Sequence, residues 1–503
     1  MEKNIQYDIV IIGAGPAGLY TAYGLLEKDP NLHIKIIEKG QIKDKRICPA
    51  LVRHSKCTNC KICHIMSGLG GAGFQSDSKF PITNDFGGNL WEKIGREKSL
   101  EFQKKVDSIN RKFYYDSIGY TDDLKIEWLE NNKPEQSFPR LYSSKNSSYK
   151  KICTQHNLHL LDADIRHLGT DIGQVIYSKL YDYLVANGIE FEFNTEVNTI
   201  KKVEDFINVD SISDRKYYWE ISCLTDNKSD KLSSKKVLKA NTVVVAAGRS
   251  GSEWVKKLCQ DLNIPTRSNK VDLGIRFECP NEIWDHITKE LYESKIIYKT
   301  KTYEDEVRTF CMNPSGEVVT ENTNGLITVN GHAFEDKNKK TENTNFALLV
   351  SQSFTEPFDD SNEYGNAIVK LSNMLGGGVI VQRYGDLIRG KRSTKEHIKN
   401  NSVHPTLNTE PGDLSLVLPK RILDDILEMI EKLDHLVPGM TNDDNLLYGV
   451  EVKRYNMTVE VNENLEAVGY KNLYMIGDGS GWTHSLSQSS ASGLYIAEKI
   501  VKN

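Results

Sequence analysis

Tyr7-Asp8-Ile9-Val10-Ile11-Ile12-Gly13-Ala14-Gly15-Pro16-Ala17-Gly18 is a strand running straight into a G-x-G-x-x-G turn. The β-branched run suits a strand buried on both faces of a parallel sheet. Apolar residues then recur at helical spacing over residues 19–28. Gly13 permits the tight turn, Gly15 lets the backbone approach a pyrophosphate, and Gly18 lets helix and strand pack closely. The helix opening at Pro16 and Ala17 presents N–H groups and a partial positive charge to phosphate. A second strand, His33-Ile34-Lys35-Ile36-Ile37, ends at Glu38, about 20 residues past the last glycine, where an acid accepts hydrogen bonds from ribose hydroxyls. These elements in register predict a dinucleotide-binding unit of the Rossmann type.

The same pattern serves NAD, and the far end of the chain decides between the two. Asn472-Leu473-Tyr474-Met475-Ile476 is a strand ending in Gly477-Asp478-Gly479, and a helix follows over residues 485–502. An acid at such a strand end can bind ribityl hydroxyls, while the helix dipole faces one edge of a flavin. Small residues 489–493 let that helix approach a flat ring. Midway along the chain, Thr242-Val243-Val244-Val245-Ala246-Ala247-Gly248 is another strand ending in glycine. FAD is therefore the expected cofactor.

In these three stretches the chain resembles the glutathione-reductase-like FAD superfamily. More narrowly, it is similar to a family of bacterial and archaeal FAD-dependent dehydrogenases. That likeness rests on the cysteine cluster followed by GLGGAG at 68–73, on RHLGTD at 166–171, on VDLGIRFE at 271–278 and on VRTFCMNPSGEVV at 307–319. The resemblance implies that Gly13, Gly15, Gly18, Glu38 and Asp478 contact FAD. With the flanking positions of each stretch, the expected cofactor set is Gly13, Gly15, Pro16, Ala17, Gly18, Glu38, Gly71, Val197, Gly248, Gly477 and Asp478. Fold alone does not name a substrate.

Four of nine cysteines, Cys48, Cys57, Cys60 and Cys63, fall within sixteen residues, in a segment rich in Lys and Arg. A C-x-x-C-x-x-C run suits one corner of a [4Fe–4S] cluster, with Cys48 closing the fourth position. A tetrahedral zinc site and a redox-active dithiol are the competing readings. The zinc reading lacks two separated knuckles, and the dithiol reading lacks the C-x4-C spacing of flavin disulfide reductases. Gly68-Leu69-Gly70-Gly71-Ala72-Gly73 repeats the glycine pattern without a preceding strand. It reads as a loop of backbone amides near the cofactor rather than a second nucleotide fold. No dedicated NAD(P)H domain is expected, although NAD(P)H could still deliver electrons transiently.

The expected fold class is α/β: a discontinuous Rossmann-type FAD-binding domain (1–98, 161–263 and 446–503) and an α+β substrate or cap domain on a mixed or antiparallel sheet (99–160 and 264–445). Helix is expected over 170–187, strand over 189–197 and 219–224, and a solvated loop over 335–345. Lys79, Arg308 and His484 are the candidate catalytic groups, with Arg166, His167, Arg276, Lys453, Arg454 and Tyr455 as further polar candidates. For each the ordinary alternative is a surface, capping or packing role. Flavin carries the hydride chemistry, so no nucleophile triad is required.

Composition narrows the function classes. The 503 residues are 39 % hydrophobic and 26 % charged, with a net charge of −5 that offers no basic field for nucleic acid. That balance argues against an RNA-modifying flavoprotein. No apolar run approaches the ~18 residues of a membrane span, and residues 1–4 lack a signal-peptide pattern. A cytoplasmic oxidoreductase of a small organic substrate is the leading expectation. An electron-transfer module serving a ferredoxin-like partner, or a metal-free dithiol flavoenzyme, is the alternative.

Overall fold

The computed structural model describes residues 6–53, 58, 60–118, 138–204, 217–225, 234–323, 325–334 and 336–502. The chain divides into two compact units. One comprises residues 1–138, 172–267 and 456–503, and the other residues 139–171 and 268–455.

In the first unit Tyr7–Ile12 is the central strand. It pairs in parallel with Ile34–Ile37 on one side (Ile9 opposite Ile34) and with Ser234–Val245 on the other (Ile9 opposite Thr242). Glu190–Glu192 extends the parallel set beyond Ile34–Ile37, and Leu473–Met475 pairs in parallel with the end of Ser234–Val245. Both faces of Tyr7–Ile12, Ile34–Ile37 and residues 242–245 are covered over most of their length, which is why these stretches are rich in Ile and Val. Strand Ser234–Val245 changes character along its length. Its first half is rich in Lys and pairs antiparallel with Tyr217–Thr225, which in turn pairs with Thr195–Glu204. Its second half is the buried parallel stretch.

Helix Pro16–Leu26 packs against the C-terminal helix Leu486–Ile500 through small residues. A Cβ on Gly24 would stand 2.8 Å from the Ala497 Cβ, and one on Gly493 would overlap the Ala17 carbonyl. Helix Arg96–Ser117 joins them, with Phe102 edge-on to Tyr495 at 5.6 Å and Lys105 paired to Glu498. The sequence reading gave this helix, from residue 99 on, to the second domain. Its buried stripe of Phe102, Val106 and Phe113 ties it to the first.

In the second unit the described residues form an eight-stranded sheet. Its order is Glu410–Pro411, Ile380–Arg383, Leu446–Arg454, Val271–Pro280, Asn343–Gln352, Glu306–Asn313, Ile296–Lys299, Leu158–Leu160. Leu446–Arg454, which the sequence reading placed in the FAD domain, is paired antiparallel with Val271–Pro280 along nearly its whole length. One face of the sheet is apolar (Leu273, Ile275, Phe277, Phe346, Leu348, Val350, Val452) and packs against Ile422, Ile426, Met429 and Ile430 of helix Lys420–Asp434. The opposite face alternates to Asp272, Arg276, Glu278, Asn345, Glu451 and Lys453, all buried, and to half-buried Ser351. Part of the expected 335–345 loop is strand. Asn343, Thr344 and Asn345 open Asn343–Gln352, and their polar side chains meet buried partners instead of solvent: Asn343 donates to Glu278, Thr344 to Asn281, and Asn345 accepts from Arg276.

Candidate functional site: a dinucleotide cradle

The three glycines of the first turn meet different surroundings. Gly13 has φ +112°, and a Cβ there would stand 2.6 Å from the Ala246 carbonyl oxygen. On Gly18 a Cβ would lie far inside contact with the Gly13 carbonyl. Gly15 is different: φ −78° and ψ −176° are open to any residue, and its nearest neighbour beyond the local chain would be the Gly71 Cα at 3.9 Å. Gly13 and Gly18 therefore serve the fold, whereas Gly15 leaves space unfilled at the N-terminus of helix Pro16–Leu26. Gly15 caps that helix without any side-chain hydrogen bond. Gly248, at the end of the neighbouring strand, likewise has open space where a Cβ would point.

Gly71 faces Gly15 because two side chains hold its loop. The Glu38 carboxylate is buried and accepts from the amides of Ala14 (2.9 Å), Gly40 (2.8 Å) and Gly68 (2.9 Å). A carboxylate has roughly four lone-pair sites, so about one remains for a ribose hydroxyl. The second side chain is Arg46, which sequence reading counted only among the basic residues near the cysteines. It is buried, and its guanidinium donates to the carbonyls of His64 (3.0 Å), Ile65 (2.7 Å), Gly71 (2.8 Å) and Leu69. Burial lowers its pKa to about 10, opposed by Glu38 and Cys63. The Gly70 amide then donates to the Ala14 carbonyl at 2.7 Å, which closes the loop onto the first turn. Nothing in the spacing of Arg46 marks it; a fork with five donors is what four converging carbonyls require.

At the other end, Gly477 has φ +67°, and a Cβ there would stand 3.0 Å from the Ala17 Cβ. Asp478 follows it. Its side chain is 23 % exposed, with Arg249 3.9 Å away and the Thr483 hydroxyl donating at 3.0 Å. Burial outweighs both and pushes the Asp478 carboxyl up to about 6 from 3.8. The folded, ligand-free chain thus binds this proton more tightly than the unfolded chain, so stability falls as pH rises from about 4 to about 6. Asp478→Asn is expected to stabilise the ligand-free protein at pH 7.5 by up to about 3 kcal/mol and to give no gain near pH 4. Urea denaturation at the two pH values checks this; an equal gain at both would mean that the charge is not the cause.

The other expected residues are dispersed. Val197 is buried in Thr195–Glu204 beside a bulge opposite Cys223. Lys79 is half-buried, its side chain paired with that of buried Asp77 at 2.9 Å. His484 does not cap the last helix; Ser485 does, accepting from the Gln488 amide, while the His484 amide donates to the Gly87 carbonyl. Arg308 belongs to the second unit, where it joins Arg276, Lys453 and Tyr455 on the polar sheet face. Arg166 and His167 are buried in that unit too, His167 against the Tyr292 hydroxyl at 2.8 Å. Arg454 donates to Asn366 at 2.6 Å.

Cys57 lies outside the described residues. Cys48 and Cys63 are half-buried and Cys60 exposed, and among the described residues no three His, Cys, Asp or Glu side chains come together as metal ligands. The expected iron–sulfur centre and the zinc alternative find no support in this geometry. Among the described residues, no helix is long and apolar enough to cross a membrane.

Sheet order, glycine turn and acid at the second strand define a Rossmann-type α/β dinucleotide-binding fold. Residues 271–454, most of the second unit, match the family described as FAD-dependent protein, C-terminal domain-like. No curated protein matches the chain. Among solved structures, glycine oxidase from Geobacillus kaustophilus is similar over 99 % of this chain and 95 % of its own, at 11 % identity and TM-score 0.39. A flavoprotein/dehydrogenase from Cytophaga hutchinsonii is similar over 98 % and 79 %, at 10 % identity and TM-score 0.37. The halogenase PltM is similar over 99 % and 70 %, at 12 % identity and TM-score 0.37. Likenesses this distant say nothing of activity.

Proposed function

We propose that the chain is an FAD-dependent oxidoreductase of a small organic substrate. The observation that carries this reading is the unfilled space over Gly15, facing Gly71 at the N-terminus of helix Pro16–Leu26. A pyrophosphate placed there would meet backbone amides and the positive helix end. Glu38 would take a ribose hydroxyl on its remaining lone pair, and Asp478 would accept from the ribityl chain. The match of residues 271–454 to a family of FAD-dependent proteins supports the choice of FAD over NAD. Bound flavin would supply hydride and single-electron chemistry; the residues of this chain bind and orient it. Half-buried Lys79, paired with Asp77, and His484 remain the candidates for proton transfer in the first unit.

The test is purification under anaerobic conditions, flavin identification, and a screen for organic substrates that bleach its visible absorbance. Purified protein that neither retains nor takes up FAD would sink the reading. The cysteine segment favours a second centre on sequence grounds, four thiols in sixteen residues. Iron and acid-labile sulfide measured on the same sample decide it: both present at stoichiometric level for [4Fe–4S], zinc alone for a tetrahedral site, neither for a dithiol. A cluster would make a ferredoxin-like electron partner the natural donor or acceptor.

A further inference from the structure

Three cations converge on one aromatic ring in the second unit. Around Phe310, the Lys295 ammonium stands 4.1 Å from the ring centroid, the Arg308 guanidinium 5.6 Å and the Lys453 ammonium 5.8 Å. Lys270 adds a fourth, 5.7 Å from the ring of Tyr455, whose hydroxyl accepts from Arg308 at 2.7 Å. Arg276 lies behind them, fully buried.

The acids facing this group are heavily shared. Glu451 takes Arg276 in two parallel bonds, 2.8 and 3.0 Å, and also Lys453 at 2.8 Å. Asp272 serves Arg308, the Tyr455 hydroxyl and the Ser351 hydroxyl. Glu293 stands 3.6 Å from Lys295 and also accepts from the Cys311 amide. Glu306 acts on Arg308 and Lys270 from an exposed position. Among the described residues, five cations thus share the face with these four acids and with buried Glu278, which is taken up by Asn343, Thr406 and Tyr448 rather than by a cation. Like charges crowded around one ring away from bulk water repel one another, and a counter-charge brought among them would relieve this. Lys270 feels this, its pKa lowered by burial and by Arg308. The Nε of Arg308 is buried without a hydrogen-bond partner, although 19 % of the side chain reaches solvent.

We propose that this face binds a small organic anion, its carboxylate received by Arg308 with Lys453, Lys295 and Lys270 around Phe310. Carboxylate suits the site because guanidinium and ammonium groups only donate, and two carboxylate oxygens can accept from several of them at once. The inference is independent of flavin: every residue in it belongs to the second unit.

Succinate is the probe. It is titrated into the full-length protein by calorimetry at constant ionic strength, with succinamide as neutral control, sulfate as inorganic arm and flavin content recorded separately. Saturable succinate binding, absent for succinamide and at least about tenfold weaker in Arg308→Gln and in Lys270→Gln, is expected. Lys270→Gln, at a half-buried position, decides alone if Arg308→Gln does not fold. No saturable binding by the parent protein, undiminished binding by the folded variants, or equal binding of sulfate overturns the proposal. A sample without flavin that still binds succinate leaves this inference standing while removing the proposed activity.

Discussion

Gly15→Ala is expected to leave the ligand-free fold intact and to weaken FAD binding by on the order of 100-fold, about 2.7 kcal/mol. The backbone at Gly15 is extended, so alanine fits it without strain, and its Cβ would have no neighbour nearer than 3.9 Å. Two small terms act on stability and oppose each other. A less flexible unfolded chain adds about 0.4–1 kcal/mol, and alanine is a poorer N-cap than glycine by a similar amount. What the methyl occupies is the space a pyrophosphate needs. Gly18→Ala is the matched control, because its Cβ would overlap the Gly13 carbonyl and force strand and helix apart. It should lower stability by about 3 kcal/mol or more, whatever is bound. Denaturation curves without ligand, together with FAD titrations by flavin fluorescence, separate the two. If Gly15→Ala retained FAD within twofold, the space above Gly15 would not be the pyrophosphate site.

Much of the cradle was legible because it obeys local rules. A doubly covered parallel strand has to be continuously apolar, and a turn with φ +112° at Gly13 requires glycine, so residues 7–18 announce themselves. Strand Ser234–Val245 was legible only in its second half. Its first half is rich in Lys, pairs with an antiparallel neighbour and has no clean alternation, which hides that both halves belong to one strand. Glu38 was placed correctly at the end of Ile34–Ile37, yet no spacing rule reveals that Gly40 and Gly68 also donate to it. Arg46 is the clearest omission. Its four carbonyl partners lie 18 to 25 residues away in an irregular loop, where periodicity carries no information. In the second unit the alternation of Val271-Asp272-Leu273-Gly274-Ile275-Arg276-Phe277-Glu278 does signal a two-faced strand. Alternation ordinarily means that the polar face is wet; here that face is as buried as the apolar one.

That burial sets the second large effect. Glu451→Gln should destabilise the second unit by about 3–5 kcal/mol, because it leaves two buried cations without their carboxylate. Arg276, Glu451 and Lys453 have almost no exposed side-chain surface, and the Arg276 fork grips Glu451 through Nε and Nη2. Such a pair gives little net stability over an apolar replacement, since desolvation offsets most of the attraction, but breaking it from one side exposes the full cost. The double change Arg276→Met with Glu451→Gln should therefore recover at least about 1.5 kcal/mol relative to the sum of the single changes. Recovery should stop short of the parent, because Lys453 keeps its charge and loses its partner, and Asn345, Asn330 and the Cys311 carbonyl lose the Arg276 donors. Adding Lys453→Met removes the stranded ammonium and should restore more. Urea denaturation of the five proteins at pH 7.5, followed by tryptophan fluorescence, to which Trp284 contributes from the second unit, reads these terms. Additive losses from the single changes would show that Arg276 and Glu451 do not depend on each other, and the charged face would then owe its stability to its many hydrogen bonds.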